Sequence, residues 1–138
     1  MDNENKIKHL EFIQQTITRM ATNSFLLKGW TVTLIVGVLA FANVKDMNSN
    51  YVAIAIIPTI MFWILDGFFI RQERLFREVY NSVRLLTESE IDYSMDTTPY
   101  NGNVKSWFKT VFSKTLNLFY LPILVVIVGL VWILPKIV

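Results

Sequence analysis

The sequence predicts an all-α protein: a three-span helical integral membrane protein with an N-terminal amphipathic helix and a long second span extending into a cytoplasmic helical hairpin. Three observations lead there. Apolar runs occupy residues 29–44, 51–70 and 115–135. Hydrophobic residues make up 53% of the 138, with mean hydropathy +0.41, above the usual soluble range. Of 13 Lys and Arg, only Lys45 lies between the first two runs and only Lys136 follows the third. Nothing in a soluble fold requires that asymmetry, whereas a threaded membrane chain keeps its basic residues on the cytoplasmic side. At this length there is room for a single membrane domain, residues 1–138.

Residues 1–24 read as an amphipathic cytoplasmic helix. Ile7, Leu10, Ile13, Ile17, Met20 and Ser24 recur at helical spacing, Ile7 and Phe12 widen the apolar stripe, and Lys6, Lys8, Glu11, Gln15 and Arg19 fill much of the rest. His9, the one histidine, is expected to be solvated or interfacial. The first span covers residues 25–44. Its uncharged part is short for a hydrocarbon layer of about 30 Å, so Lys28 must snorkel to the headgroups.

Residues 43–50, polar and rich in Asn, make a tight turn into the second span at 51–70. No Gly or Pro falls between Phe68 and Tyr93, so that helix is expected to run on to about residue 90, roughly 60 Å at 1.5 Å per residue. Its cytoplasmic half carries Leu75, Phe76, Val79, Val83 and Leu86 on one face, with Glu73–Arg77 and Arg74–Glu78 as ion pairs one turn apart. This stripe and the N-terminal one can pair antiparallel. They either only cover each other or leave a binding groove.

Residues 91–103 form a loop with turn chemistry in Asp92, Asp96, Pro99 and Asn101-Gly102. Asn103 is placed to cap an interfacial helix at 104–114, apolar through Val104, Trp107, Phe108, Val111 and Phe112, with Lys105, Lys109 and Lys114 outside that face. Residues 115–135 are the third span, with a kink expected at Pro122; an interfacial or re-entrant segment is the alternative.

The basic bias sets the orientation in a bacterial inner membrane: N-terminus cytoplasmic, C-terminus periplasmic or extracellular. Trp30 and Trp107, with Lys105 and Lys109, anchor the inner surface and Trp132 the outer one. Arg19, Arg71, Arg74 and Arg77 form a candidate cytoplasmic interaction face.

Several chemistries find no support. The chain has no Cys, which removes disulfides and thiolate sites, and a single His with no HExxH or EF-hand pattern predicts no metal. No P-loop or GxSxG appears, and the glycines at 29, 37, 67, 102 and 129 cradle no phosphate. The expectation is not an enzyme, with no cofactor and no direct nucleic-acid contact. The acidic lead Asp2-Asn3-Glu4 and late first apolar run predict no cleaved signal peptide, and neither myristoylation nor prenylation has its residues.

Asp66 is the only acid inside an apolar run. Unpaired at mid-membrane it would cost at least about 2.5 kcal/mol, less at its shallow depth. Opposing Ala42 to Tyr51 across the turn brings position 28 level with about position 65, so Lys28 and Asp66 are expected to pair, either as a lock between helices or as an ion-binding pair. Thr31, Thr33, Thr59 and Asn117 are the other polar groups of the spans; they can line a pore or bond between helices.

The stretch KHLEFIQQTITRMATNSFLLKGW at 8–30, an apolar hairpin, then LDGFFIRQERLFREVYNSVR at 65–84 resembles small, mostly uncharacterised bacterial membrane proteins. The likeness covers about residues 8–86 and rests on Arg19, Asn23, Ser24, Phe25, Asp66 and Arg74. More distantly it is similar to SLATT-type two-span effectors and RipA-type octameric membrane proteins, from which the third span departs. The SLATT resemblance implies an oligomerising effector tied to nucleotide signalling and phage defence. Two functions are therefore carried forward. One is a homo-oligomeric, channel-like or membrane-disrupting effector, its partners being the bilayer, its own copies and a cytoplasmic protein or nucleotide signal. The other is a non-conducting scaffold or accessory subunit that positions a partner.

Overall fold

The computed structural model describes residues 3–42 and 50–137. Among them there is no strand. The elements are α1 (Glu4–Ala42), α2 (Asn50–Ile54), α3 (Ile56–Val83), α4 (Trp107–Val111) and α5 (Lys114–Ile137), with two 3-10 turns, Glu88–Glu90 and Thr98–Asn103, between α3 and α4. The turn expected at 43–50 lies outside the described residues except for Asn50. Three helical stretches, Glu4–Phe41, Asn50–Val83 and Lys114–Ile137, are long and apolar enough to cross a membrane. The molecule is all-helical, with three helices that could span a membrane by length and composition. At 1.5 Å per residue, the 39 residues of α1 reach roughly 58 Å, well beyond a hydrocarbon core of about 30 Å. α1 is therefore longer than a single crossing needs.

α1 runs through the expected boundary at residues 24–25 without interruption because nothing there breaks a helix. Thr16 and Thr18 return their hydroxyls to the carbonyls of Phe12 and Gln14, at 3.0 Å each, so these β-branched residues leave no polar group open. α1 packs along α3, and three apolar clusters follow one another down the molecule. At the charged end Ile13 and Ile17 meet Val79, Val83 and Ile91. In the middle Trp63, Val111, Leu116 and Tyr120 come together. At the far end Val52, Ala55 and Ile127 pack with Leu34, Ile35 and Val38 around them.

The second long helix departs from expectation at both ends. It breaks at Ala55, where the backbone closes a tighter turn from Ala55 N–H to the Val52 carbonyl (3.2 Å). Pro58 explains the restart: a proline lacks its N–H and is tolerated only in a helix's first turn, and the break puts Pro58 there. At the other end α3 stops at Val83, not near residue 90. Leu85 and Leu86 bond three residues back, which tightens the chain. The Lys6 ammonium then donates to the carbonyls of Arg84 (3.1 Å) and Leu86 (2.7 Å), where the negative end of a helix favours a cation. Thr87 donates both its N–H and its hydroxyl to Glu90, at 2.8 and 2.7 Å. Stopping here lets Ile91 fold back into the core, 7% exposed. A helix continued to residue 90 would carry it away.

The interfacial helix expected at 104–114 shrinks to five residues, Trp107–Val111, capped by Ser106 rather than Asn103. It does not lie free along the leaflet. Val111 and Thr110 are buried against α3. A Cβ added at Gly67 would stand 2.5 Å from Val111 Cγ2 and 3.1 Å from Val111 Cα, so only glycine admits this approach. α5 continues through Pro122 as one helix, with no re-entrant turn.

Of the two expected surface ion pairs, Glu73–Arg77 forms (2.7 Å). Arg74–Glu78 does not, and Glu78 accepts from Asn103 Nδ2 at 3.4 Å. Ile7 and Phe12, expected to widen the buried stripe, are 54% and 62% exposed, because α3 covers only the narrower arc through Ile13 and Ile17. His9 corrects the opposite expectation. It is buried, with its ring edge-on to Tyr93 at 5.4 Å, because residues 91–97 strap back over α1.

Candidate functional site: a buried polar node

The three long helices meet at Asp66, which is fully buried. From α1, one turn apart, come Ser24 and Lys28. The Ser24 hydroxyl donates to Asp66 Oδ1. Lys28 Nζ donates to Asp66 Oδ2 at 2.5 Å and to Ser24 Oγ at 2.9 Å. From α5 the Tyr120 hydroxyl donates to Asp66 Oδ2 at 2.9 Å. The carboxylate thus accepts three bonds from two neighbouring helices, the charge-assisted kind that is stronger than a neutral pair. Helical spacing makes this possible: positions 24 and 28 share a face of α1, and the first and second long helices run antiparallel.

An aromatic frame fixes the node. Trp63, one turn before Gly67, stacks on Tyr120 with centroids 5.7 Å apart and planes within 8°. Its indole donates to the Val111 carbonyl at 2.7 Å. The Trp107 indole donates to the Ile64 carbonyl at 3.0 Å. The Lys28 ammonium lies 5.9 Å from the Phe119 ring centroid, within cation–π range. The two indole bonds tie α4 to α3, and the stack ties α5 to α3. Asp66 is enclosed by these partners, while the Lys28 side chain keeps 22% of its surface exposed.

The other residues singled out in the sequence scatter. Thr31 and Thr59 are buried, but their hydroxyls bond to their own helix, at Leu27 O (2.8 Å) and Ala55 O (2.7 Å). Thr33 does the same at Gly29 O (2.9 Å) and faces outward. Asn117 Nδ2 closes on the Phe112 carbonyl (3.0 Å) where the chain bends between α4 and α5. Thr31 also hydrogen-bonds the Tyr120 hydroxyl, and so links α1 to α5 beside the node; Thr33, Thr59 and Asn117 bond only locally. The four arginines have different partners. Arg71 staples the loop, donating to Lys105 O and Asn101 Oδ1 at 3.1 Å each, and Arg77 is paired with Glu73. Among the described residues Arg19 and Arg74 make no ion pair. Trp30, Trp132, Lys105 and Lys109 are exposed, with Lys136 over the Trp132 ring; Trp107 is partly tied down by its indole bond.

Ser24 stood in the sequence as one position of an apolar stripe and one residue of the resemblance, with no partner assigned, and Tyr120 and Trp63 were not singled out at all. The one signal for Tyr120 is a phenol inside an apolar run, which needs a buried partner.

Fold and node together define an all-helical protein with three helices long and apolar enough to cross a membrane, joined at a buried charged cluster. A scan against protein-family models, a search of curated proteins and a search of solved structures each find no match to this chain.

Proposed function

We propose that this chain is a non-conducting membrane scaffold or accessory subunit of a bacterial inner membrane, with its charged hairpin in the cytoplasm and its C-terminus on the opposite side. One observation carries this reading. Most of the polar side chains that a pathway through the spans would need are already used within one chain: Asp66, Ser24, Lys28 and Tyr120 on each other, Thr31, Thr33 and Thr59 on nearby carbonyls, and Asn117 through its Nδ2 on the Phe112 carbonyl. What remains outside the bilayer is a braced hairpin, with Lys6 and Arg71 both stapling loop backbone, and a braced surface suits the positioning of a partner. Reconstitution into liposomes tests it: no ion or small-solute flux is expected. A stable oligomer that conducts would replace this reading.

The second reading is the homo-oligomeric, channel-like effector in phage defence, answering a nucleotide or protein signal. It is supported by an unoccupied strip on α1 at Gly29, Thr33 and Gly37. Thr33 points outward there, and a Cβ at either glycine meets nothing within 4 Å, which is the kind of surface along which membrane helices approach each other.

A further inference from the structure

Where the chain turns from α4 into α5, two grooves adjoin at Phe112. One, of about 560 Å³, runs down α5 past Lys114, Asn117, Leu118, Leu121 and Pro122. The other, of about 290 Å³, is lined by Ile64, Trp107, Phe108, Val111 and Phe112. From Lys114 to Pro122 the first covers about 12 Å of helix, and it is graded along that length. An exposed cation stands at the top, an amide one turn below, and then only apolar side chains, Leu118 being 68% exposed. α5 is one of the three helices long and apolar enough to cross a membrane. In a bilayer the groove would begin among headgroups and end among acyl chains.

The charge here is one-sided. Between Thr97 and Val138 there are four Lys and no Asp or Glu. Lys105, Lys109 and Lys114 are exposed, and Arg71 of α3 joins them by donating to the Lys105 carbonyl. Among the described residues none of these four is in an ion pair. Of the α3 carboxylates, Asp66 is neutralised by Lys28 and Glu73 by Arg77, which leaves Glu78 alone against four cations. The strap carboxylates Asp92 and Asp96 stand elsewhere. Their neighbours Tyr93 and Met95 line grooves with His9, Phe12 and Arg19 of α1, and no strap residue lines either groove at Phe112.

Two polar atoms beside the groove lack partners. Ser113 Oγ and Asn117 Oδ1, one turn apart, are enclosed without a hydrogen bond, which costs most where water does not enter. Neither reaches a ligand without a side-chain rotation, and a headgroup with phosphate oxygens and hydroxyls offers each the partner it lacks.

We propose that the α4–α5 elbow binds one anionic phospholipid, its headgroup at Lys114 and Asn117 and an acyl chain along Leu118, Leu121 and Pro122. This assignment rests on the inner-membrane placement proposed above and names the lipid class that this surface selects.

The full chain in neutral detergent is mixed with phosphatidylglycerol, phosphatidylcholine and phosphatidylethanolamine of matched acyl chains, and native mass spectrometry counts what it retains. One phosphatidylglycerol should be held saturably, with the two zwitterionic lipids about fivefold weaker. Lys114→Gln should remove that preference. Lys136→Gln, the same change of charge at the other end of α5, should leave it intact. Leu121→Trp, which fills the groove from an exposed position, should lower retention of all three lipids. Circular dichroism should show the fold unchanged in each variant.

Equal retention of the three lipids overturns the proposal, as does full retention in Leu121→Trp. An equal loss in Lys114→Gln and Lys136→Gln would assign the effect to general attraction by a basic chain and overturns it too. So does a dimer that carries no lipid, which would place a second copy on this face. Flux is a separate readout: a silent liposome with no lipid preference removes only the lipid site, whereas a conducting one with the preference intact removes only the scaffold.

Discussion

α1 and α3 are joined twice, by opposite chemistry. At the charged end Ile13 and Ile17 meet Val79 and Val83 with no polar group between them. About 10 to 22 Å further along α1 the same helices are joined by Ser24, Lys28 and Asp66. Solvent explains the inversion. In water, burying an aliphatic side chain stabilises by about 1.5–3 kcal/mol. In lipid the tails are as apolar as leucine, so apolar contact supplies no comparable drive and hydrogen bonds do more of the specifying. The charged node lies near the water-facing end of the spans, with the Lys28 side chain 22% exposed, which lowers the cost of leaving water for the cation while Asp66 stays enclosed.

The sharpest way to break the comparison is to remove one half of the ion pair. Lys28→Ala should destabilise by about 3 kcal/mol or more, because Asp66 is left buried without a counter-charge. Unfolding in mixed detergent micelles measures it, and Asp66→Asn added to Lys28→Ala should recover part of the loss. If the charge swap Lys28→Asp with Asp66→Lys folds no better than either single change, the pair is not what holds the node.

At the apolar joint, Ile13→Ala should cost about 2–4 kcal/mol. The two joints are about 22 Å apart along α1. The double variant Ile13→Ala, Lys28→Ala should therefore equal the sum of its parts within about 0.5 kcal/mol, and a large coupling would show the two joints to be one.

A smaller effect tests the frame around the node. Gly67→Ala should cost about 1–3 kcal/mol by pushing α4 away. Trp107 fluorescence should shift as its indole loses the Ile64 carbonyl, while Gly129→Ala, in open space, should leave both stability and emission unchanged.

The smallest effect lies in the strap. The Thr87 N–H and hydroxyl hold the Glu90 carboxyl below its usual range, and the Thr98 hydroxyl and N–H do the same for Asp96. A lowered folded-state pKa stabilises at neutral pH and loses that contribution as pH falls through it. Hydrogen exchange of the strap, normalised for the intrinsic pH dependence, should therefore quicken on acidification through the carboxylate range. The cluster around Ile13, which contains no acid, should not follow.

Much of this was legible beforehand, and for identifiable reasons. The three apolar runs fixed which segments can enter a membrane, because hydrocarbon admits only uncharged stretches of sufficient length. Helical spacing marked Ile13, Ile17, Val79 and Val83 as one core. Lys28 was assigned to Asp66 because a short turn between antiparallel helices sets their register residue by residue. Tyr120 had no such ruler: thirty residues of turns, loop and the short α4 separate α3 from α5, so no counting brings position 120 level with position 66.

What the sequence determined by itself is which helices are long and apolar enough to span, where charge gathers along the chain and the lateral register of the first two, because these follow from local composition and from one short connection. The tertiary structure alone decided where α3 stops, that the strap buries His9, that Gly67 admits Val111, and that Asp66 answers to α5 as well as α1. Each of these depends on segments distant in sequence competing for one surface, and the outcome is set by packing and hydrogen-bond geometry that no local pattern encodes.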